Sequence, residues 1–220
     1  MRLVKAVIGI IFLVLMTLTA YTDEKDYQDI SLSMPRMQGG KPLFQALKER
    51  QSSRAFSARQ LPDQLLADLL WAAFGINRLE SDKRTAPSAK NWQEIEIYVV
   101  MEKGTYVYDP KLNILKALIK EDLRKLTGHQ DFVETAPVNL VYVADTSKMT
   151  GASPEDQVIY SAADTGFVSQ NVYLFCASEG LVTVVRGSVD RKTLSQTLGL
   201  PSHKKIILAQ TVGYPKENTK

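Results

Sequence analysis

Three side chains in one short segment offer the clearest chemistry for a charged ligand: Arg50, Ser52 and Arg54 in Arg50-Gln51-Ser52-Ser53-Arg54. Side chains of an extended chain alternate with period two, so these three would share one face. That face presents two guanidiniums with a hydroxyl between them, a charge-assisted, forked donor set that suits a phosphate. The second guanidinium could instead reach another part of the same ligand. The same spacing is equally at home on a solvated loop, and spacing alone leaves both readings open.

Three further segments set polar groups beside permissive backbone. In Arg84-Thr85-Ala86-Pro87-Ser88-Ala89-Lys90-Asn91-Trp92-Gln93 the small residues would let the backbone approach a flat ring, while Ser88 and Asn91 can donate and accept hydrogen bonds. An ordinary turn-rich loop has the same composition. Val185-Arg186-Gly187-Ser188 ends a strand-like run, and Gly187 permits close backbone contact with a ligand or simply makes a turn. Gln170 and Asn171 are amides inside an otherwise apolar helical pattern, and a buried amide needs partners.

The elements that would carry these segments follow from hydrophobic periodicity. Pro42 opens a short helix up to Arg50, and Pro62 opens a second, with Leu65, Leu66, Leu69, Leu70, Ala73 and Phe74 at helical spacing before Gly75. Residues 76–93 form a polar connection. Glu94 to Met101 and Thr105 to Tyr108 pair as a hairpin around Lys103-Gly104. Leu112 to Leu126 has helical spacing and ends at Gly128, and Val138 to Ala144 is an apolar strand. The longest helix runs from about Glu155 to Ser178, closed by Gly180. It is apolar around much of its circumference, so it is buried inside the domain or against another subunit. A strand from Leu181 to Val185, a helix from Asp190 to Leu198 and a strand from Lys205 to Val212 complete an α+β fold with a largely antiparallel sheet.

The formal charge of +3 is too small to argue for nucleic acid. Arg2, Lys5 and the apolar run Ala6 to Leu18 read as a secretory signal over 1–20, with an uncleaved anchor as the alternative. Residues 21–40 then read as a linker or arm, 41–216 as the domain and 217–220 as a tail. Cys176 is the single cysteine, so an internal disulfide is excluded, and its apolar surroundings suggest a buried thiol. His129 and His203 lack companions at ligand spacing, which disfavours a zinc or Ser-His-Asp site.

Taken in order, these segments resemble the nitroreductase superfamily over residues 42–215, and more narrowly its SagB-type branch of thiazoline- and oxazoline-oxidising dehydrogenases. The resemblance rests on Arg50-x-Ser52-x-Arg54-x-Phe56, Leu69-Leu70-Trp71-Ala72-Ala73-x-Gly75-Ile76 and Arg84-Thr85-x-Pro87-Ser88-Ala89. It continues through Gly104-x-Tyr106-x-Tyr108-Asp109-Pro110, Gln170-Asn171-x-Tyr173-Leu174, Gly180-Leu181, Leu198-Gly199-Leu200 and Val212-Gly213-Tyr214-Pro215. It implies an intertwined homodimer with FMN at each subunit interface. Arg50 and Ser52 would bind the phosphate and ribityl end, with Arg54 nearer the pyrimidine edge. Pro87, Ser88 and Asn91 would contact flavin bound mainly by the other subunit, Arg186 and Gly187 would lie beside the ring, and Lys216 would add charge near the phosphate. The chain departs from the family pattern at Lys90-Asn91 and at Arg186-Gly187, where an arginine would set a cation over the ring. The function implied is an exported, FMN-dependent oxidoreductase acting on a small molecule, with its electron donor and its catalytic residues unassigned. A protein that kept the fold without turnover and a membrane-anchored cytoplasmic NAD(P)H reductase are the alternatives.

Overall fold

The computed structural model describes residues 27–217. The expected export signal over 1–20 therefore lies outside the described residues. In chain order the main elements are β1 (Ile30–Ser31), α1 (Leu43–Glu49), α2 (Asp63–Phe74), β2 (Ile76–Arg78), β3 (Lys83–Arg84), β4 (Ile95–Met101) and β5 (Gly104–Asp109). There follow β6 (Ile114–Ile119), α3 (Phe132–Thr135), β7 (Val138–Asp145), α4 (Pro154–Glu179), β8 (Val182–Arg186), α5 (Arg191–Thr197) and β9 (Lys204–Gly213). Seven strands make one antiparallel sheet in the order β1-β6-β5-β4-β7-β9-β8, and β2 and β3 pair separately. This is the α+β architecture expected from the sequence.

The sheet has a core on each face. Ile95, Ile97, Val99, Leu140 and Tyr142 pack against α2 and α4, contributing to one cluster with Leu69, Leu70, Val168, Val172 and Cys176. The intervening residues Tyr98, Val100, Val141 and Val143 point the other way, onto Leu123, Leu194 and Leu198. β7 is buried along its whole length, which explains its largely apolar run, interrupted by the hydrogen-bonded Asn139.

α4 is set by its ends. Ser153 and Asp156 form a capping box and Pro154 opens the helix, while Gly180, at φ 71°, adopts the left-handed conformation that glycine enters without a Cβ penalty. The 26-residue helix buries Thr165, Val168, Val172 and Cys176. Burial pushes the Cys176 thiol upward, away from thiolate formation, as a structural cysteine requires. A second stripe faces outward: Val158 (71% exposed), Ile159 and Phe167 (47%), with Ala162, Ala163 and Gly166 between them. Leu43 and Phe44 of α1 are exposed too. Part of the helix's apolar circumference is thus uncovered in the single chain.

Two sequence expectations are corrected. The helix expected from Leu112 to Leu126 is instead β6 followed by a 3₁₀ turn at Arg124–Thr127. The Asp109 carboxylate accepts from the amides of Lys111 and Leu112, Asn113 turns at φ 52°, and the chain folds back to pair Asp109 with Ile114. Leu112, Leu115 and Leu118 fit a helical stripe locally, but pairing with β5 and β1 outweighs that preference. Of the linker or arm expected over 21–40, the residues from Tyr27 onward are an arm that belongs to the domain. Ile30 and Ser31 pair with β6, the Asn113 amide donates to the carbonyls of Leu32 and Ser33, and the Tyr27 ring lies 5.1 Å from that of Tyr106. Arg36 then reaches Asp68 on α2 at 2.6 Å. Among the described residues no helix is long and apolar enough to cross a membrane.

Candidate functional site

Backbone pairing holds the segment after α1 in place. Pro42 stands at the helix entrance, and at Arg50 the backbone turns extended, with φ −57° and ψ 118°. The Ser53 amide donates to the Thr183 carbonyl at 3.0 Å, laying the segment along the outer edge of β8. Phe56 is buried and bridges to Pro215, the Ser57 amide donates to the Tyr214 carbonyl, and the Lys216 amide donates to the Ala55 carbonyl at 3.1 Å. The chain's last described residues thereby set Lys216 beside Arg54 and Ala55.

Tyr173 of α4 links this segment to β8. Its hydroxyl accepts from the Val185 amide at 2.9 Å and lies 2.8 Å from Ser52 Oγ. With the amide already donating to it, the phenol can turn its proton onto Ser52, leaving the serine's own proton for a ligand. The Arg50 guanidinium lies 5.3 Å from the centre of the Tyr173 ring. Among the described residues neither Arg50 nor Arg54 meets a carboxylate within ion-pair distance. Two uncompensated cations flank a hydroxyl on an open edge, an arrangement that favours an anionic group. Tyr173 was missed as a site residue, although a tyrosine in an apolar helix needs a partner for its hydroxyl.

The loop carrying Pro87, Ser88 and Asn91 sits apart from that edge. The Ala89 amide donates to Asp164 Oδ2 at 2.9 Å, and Asp164 precedes Tyr173 by nine residues on α4, about 13 Å of helix rise. Lys90, Asn91 and Gln93 all adopt positive φ, at 49°, 57° and 49°, which non-glycine residues enter only when their surroundings hold them there. The Gln93 amide donates to Ser88 Oγ at 2.8 Å, and Ser88 Oγ donates to Glu94 Oε2 at 3.2 Å. Arg84 Nε donates to Gln93 Oε1 at 2.8 Å, and Trp92 meets Tyr160 edge to face. The Ser88 proton is therefore spent inward, which leaves the hydroxyl only an acceptor's role toward a ligand. Pro87 and Asn91 are exposed. Glu94 is fully buried, and burial above all, with the neighbouring Asp164 carboxyl, raises its pKa to about 7. Neither acid was singled out from sequence, because Glu94 looks like the first polar residue of an alternating strand.

Arg186 contradicts the expectation of a cation over a bound ring. It is 5% exposed and turned into the protein. Its guanidinium donates to the Thr127 carbonyl at 2.7 Å, Asn139 Oδ1 at 3.0 Å and Thr211 Oγ1 at 3.1 Å, with longer contacts to Gln130 Oε1 and Thr127 Oγ1. The cause is strand alternation: Arg186 shares a face with Val184, opposite the side covered by α4. Desolvation lowers its pKa to about 10. Gly187 is exposed, and an added Cβ there would touch only Leu208, at 3.8 Å. The Thr183 carbonyl and Val185 amide both point off the outer edge, so by alternation the next outward amide is that of Gly187. The Arg50–Arg54 segment and Gly187 thus line one sheet edge. Of the paired amides on α4, Asn171 donates to the Ala73 carbonyl at 3.5 Å, and Gln170 faces out in the apolar stripe.

Comparison with known proteins agrees with this fold. A crystal structure of a protein from Ralstonia eutropha JMP134, assigned as a nitroreductase, superposes with a TM-score of 0.83 at 40% identity, covering 87% of this chain and 91% of that one. A Methanocaldococcus jannaschii protein assigned as a nitroreductase is 28% identical over 180 residues, 76% of this chain and 88% of its own length. The NADPH-flavin oxidoreductase of Vibrio harveyi is 27% identical over 107 residues, 45% of each chain. The profile of the Nitroreductase family matches residues 47–214, from the end of α1 through Tyr214, and the chain belongs to that family.

Proposed function

We propose that the protein is an exported, FMN-dependent oxidoreductase that works as a homodimer, with the flavin held between subunits and a small molecule as electron acceptor. The observation that carries this reading is the edge of β8, where Arg50, Ser52 and Arg54 stand without a carboxylate partner and the Gly187 amide faces outward. Membership in the nitroreductase family and similarity to a flavin oxidoreductase support FMN as the cofactor. When bound, FMN supplies two-electron redox chemistry, and the protein's part is to anchor and orient it.

Arg50 and Ser52 bind the phosphate and ribityl end, with Tyr173 fixing the serine hydroxyl, and Lys216 adds charge beside Arg54. Arg54 lies nearer the pyrimidine edge, where a cation favours negative charge on the reduced ring. Gly187 offers its backbone amide to the ring. Pro87, Ser88 and Asn91 serve the flavin bound mainly by the other subunit, and the uncovered stripe of α4 supplies the apolar surface for that pairing. The ordered motifs from Arg50 to Pro215 support placement in the SagB-type branch, and Arg2, Lys5 and the apolar run after them support export.

Flavin binding tests the anchor. The purified protein should be yellow, with near one FMN per subunit. Arg50→Ala should weaken FMN binding by about 1.5–3 kcal/mol, roughly 10- to 150-fold in Kd, by removing charge-assisted contacts. A colourless protein that cannot be reconstituted, or unchanged affinity in the variant, would count against the assignment.

A further inference from the structure

Behind the loop that carries Ser88 lies a second carboxyl, and the two acids have few partners. Glu94 is fully buried, and Asp164 of α4 is 2% exposed. Glu94 Oε2 accepts from Ser88, but Oε1 meets no N–H or O–H donor. The Asp164 carboxyl lies within hydrogen-bonding reach of Glu94, while Asp164 Oδ2 accepts from the Ala89 amide. Nearby charges are committed elsewhere. Lys148 and Lys204 both pair with Glu96, and Asp145 is turned to Ser147. Two carboxylates in contact, without a cation, repel strongly in a buried setting. A single shared proton removes the repulsion and gives the unpartnered oxygen its hydrogen bond.

We propose that Glu94 and Asp164 hold one proton between them, and that this carboxyl pair is the latch positioning the Ser88–Gln93 loop. Glu94 grips Ser88 from one side and Asp164 grips Ala89 from the other, so the shared proton closes a ring of hydrogen bonds around the loop base. The ring holds Lys90, Asn91 and Gln93 at positive φ. Glu94 is then a positioning residue, acting on the cofactor through Ser88 and the loop; its bearing on FMN rests on the function proposed above, whereas the latch itself does not. Loss of the proton leaves two anions facing one another and favours release of the loop. Between the ordinary glutamic acid range and about pH 7, the loop's opening constant should rise by up to tenfold per pH unit.

The test uses the full chain without added FMN, then with it. Carboxyl ¹³C NMR of the unloaded protein should show one resonance of the pair titrating well above the ordinary carboxylate range, and amide exchange of Ala89 and Gln93 should quicken as it titrates. Glu94→Gln, whose amide donates permanently to Asp164, should abolish that pH dependence. Asp164→Asn, which removes the second carboxyl while Glu94 stays buried, should narrow the pH range of that rise, which covers the case in which Glu94→Gln does not fold. FMN retention should decline with rising pH in the natural protein and stay flat in Glu94→Gln. Both carboxyls titrating in the ordinary range, or the same exchange profile in natural protein and variant, would overturn the latch. Failure to bind FMN at any pH, with the exchange profile as expected, would overturn the functional reading and leave the latch standing.

Discussion

Arg186 offers a demanding test of the fold, because its guanidinium is buried with neutral partners only. Its Nη1 bond to the Thr127 carbonyl is 2.7 Å, Nη2 to Asn139 is 3.0 Å and Nε to Thr211 is 3.1 Å. Arg186→Ala removes three well-formed bonds and leaves the Thr127 carbonyl without that donor, while Asn139 Oδ1 still accepts from Thr211 at 2.6 Å. Hydrogen bonds to a charged group contribute about 1.5–3 kcal/mol each, but desolvating the cation offsets part of that. The expected loss is about 3–5 kcal/mol. Urea unfolding followed by circular dichroism should show the midpoint fall with little change in slope. Arg186→Met, which fills the space but makes no bonds, should recover about 1 kcal/mol of the loss. Gly128→Ala probes the same contact from the other side: its Cβ would stand 1.9 Å from Arg186 Nη1, a clash worth about 1–3 kcal/mol. A loss below about 1 kcal/mol in Arg186→Ala would refute the buried network and restore an outward-facing guanidinium.

Three further outcomes follow from the same structure. Glu94 has its pKa raised in the folded state, so the native protein keeps a proton that the unfolded chain releases. Stability should therefore fall as pH rises from the ordinary carboxylate range to about 7, by on the order of 3 kcal/mol, and level off above; Glu94→Gln should flatten that slope in urea titrations. If the proposed homodimer pairs through the apolar stripe of α4, replacing Phe167 with Glu should shift the protein toward monomer in analytical ultracentrifugation, and an unchanged sedimentation profile would remove that stripe from the proposed interface. Cys176, buried with its thiol pushed upward, should resist thiol reagents in the native protein and react fully only on unfolding.

Much of the fold was legible because its signals are local. Gly180 marks the end of α4, its apolar residues mark its length, and the largely apolar run of β7 matches a strand covered on both faces. β6 was not legible in the same way, since Leu112, Leu115 and Leu118 satisfy a helical period and only pairing with β5 decides the matter. The arm from Tyr27 gave no signal, because its two-residue strand exists only against β6. At the candidate site, spacing plus resemblance singled out Arg50, Ser52 and Arg54, and the structure lays their segment along the edge of β8. The orientation of Arg186 could not, since one residue of register sends a strand side chain to either face. Glu94 and Asp164 lie seventy residues apart in the chain, and only the packing of the loop on α4 brings them together.

β1 and β8 occupy opposite ends of the seven-strand sheet. Six inter-strand steps of about 4.8 Å separate them, a span of roughly 29 Å. Whatever precedes Tyr27 joins the domain at the β1 end, while the cationic edge with Arg50 and Arg54 lies at the β8 end. A tether attached before β1 would hold the domain by one flank and turn the cationic flank away from the point of attachment. The fold thereby has a polarity, in which a tether before β1 and a ligand on the cationic edge would not compete for the same space.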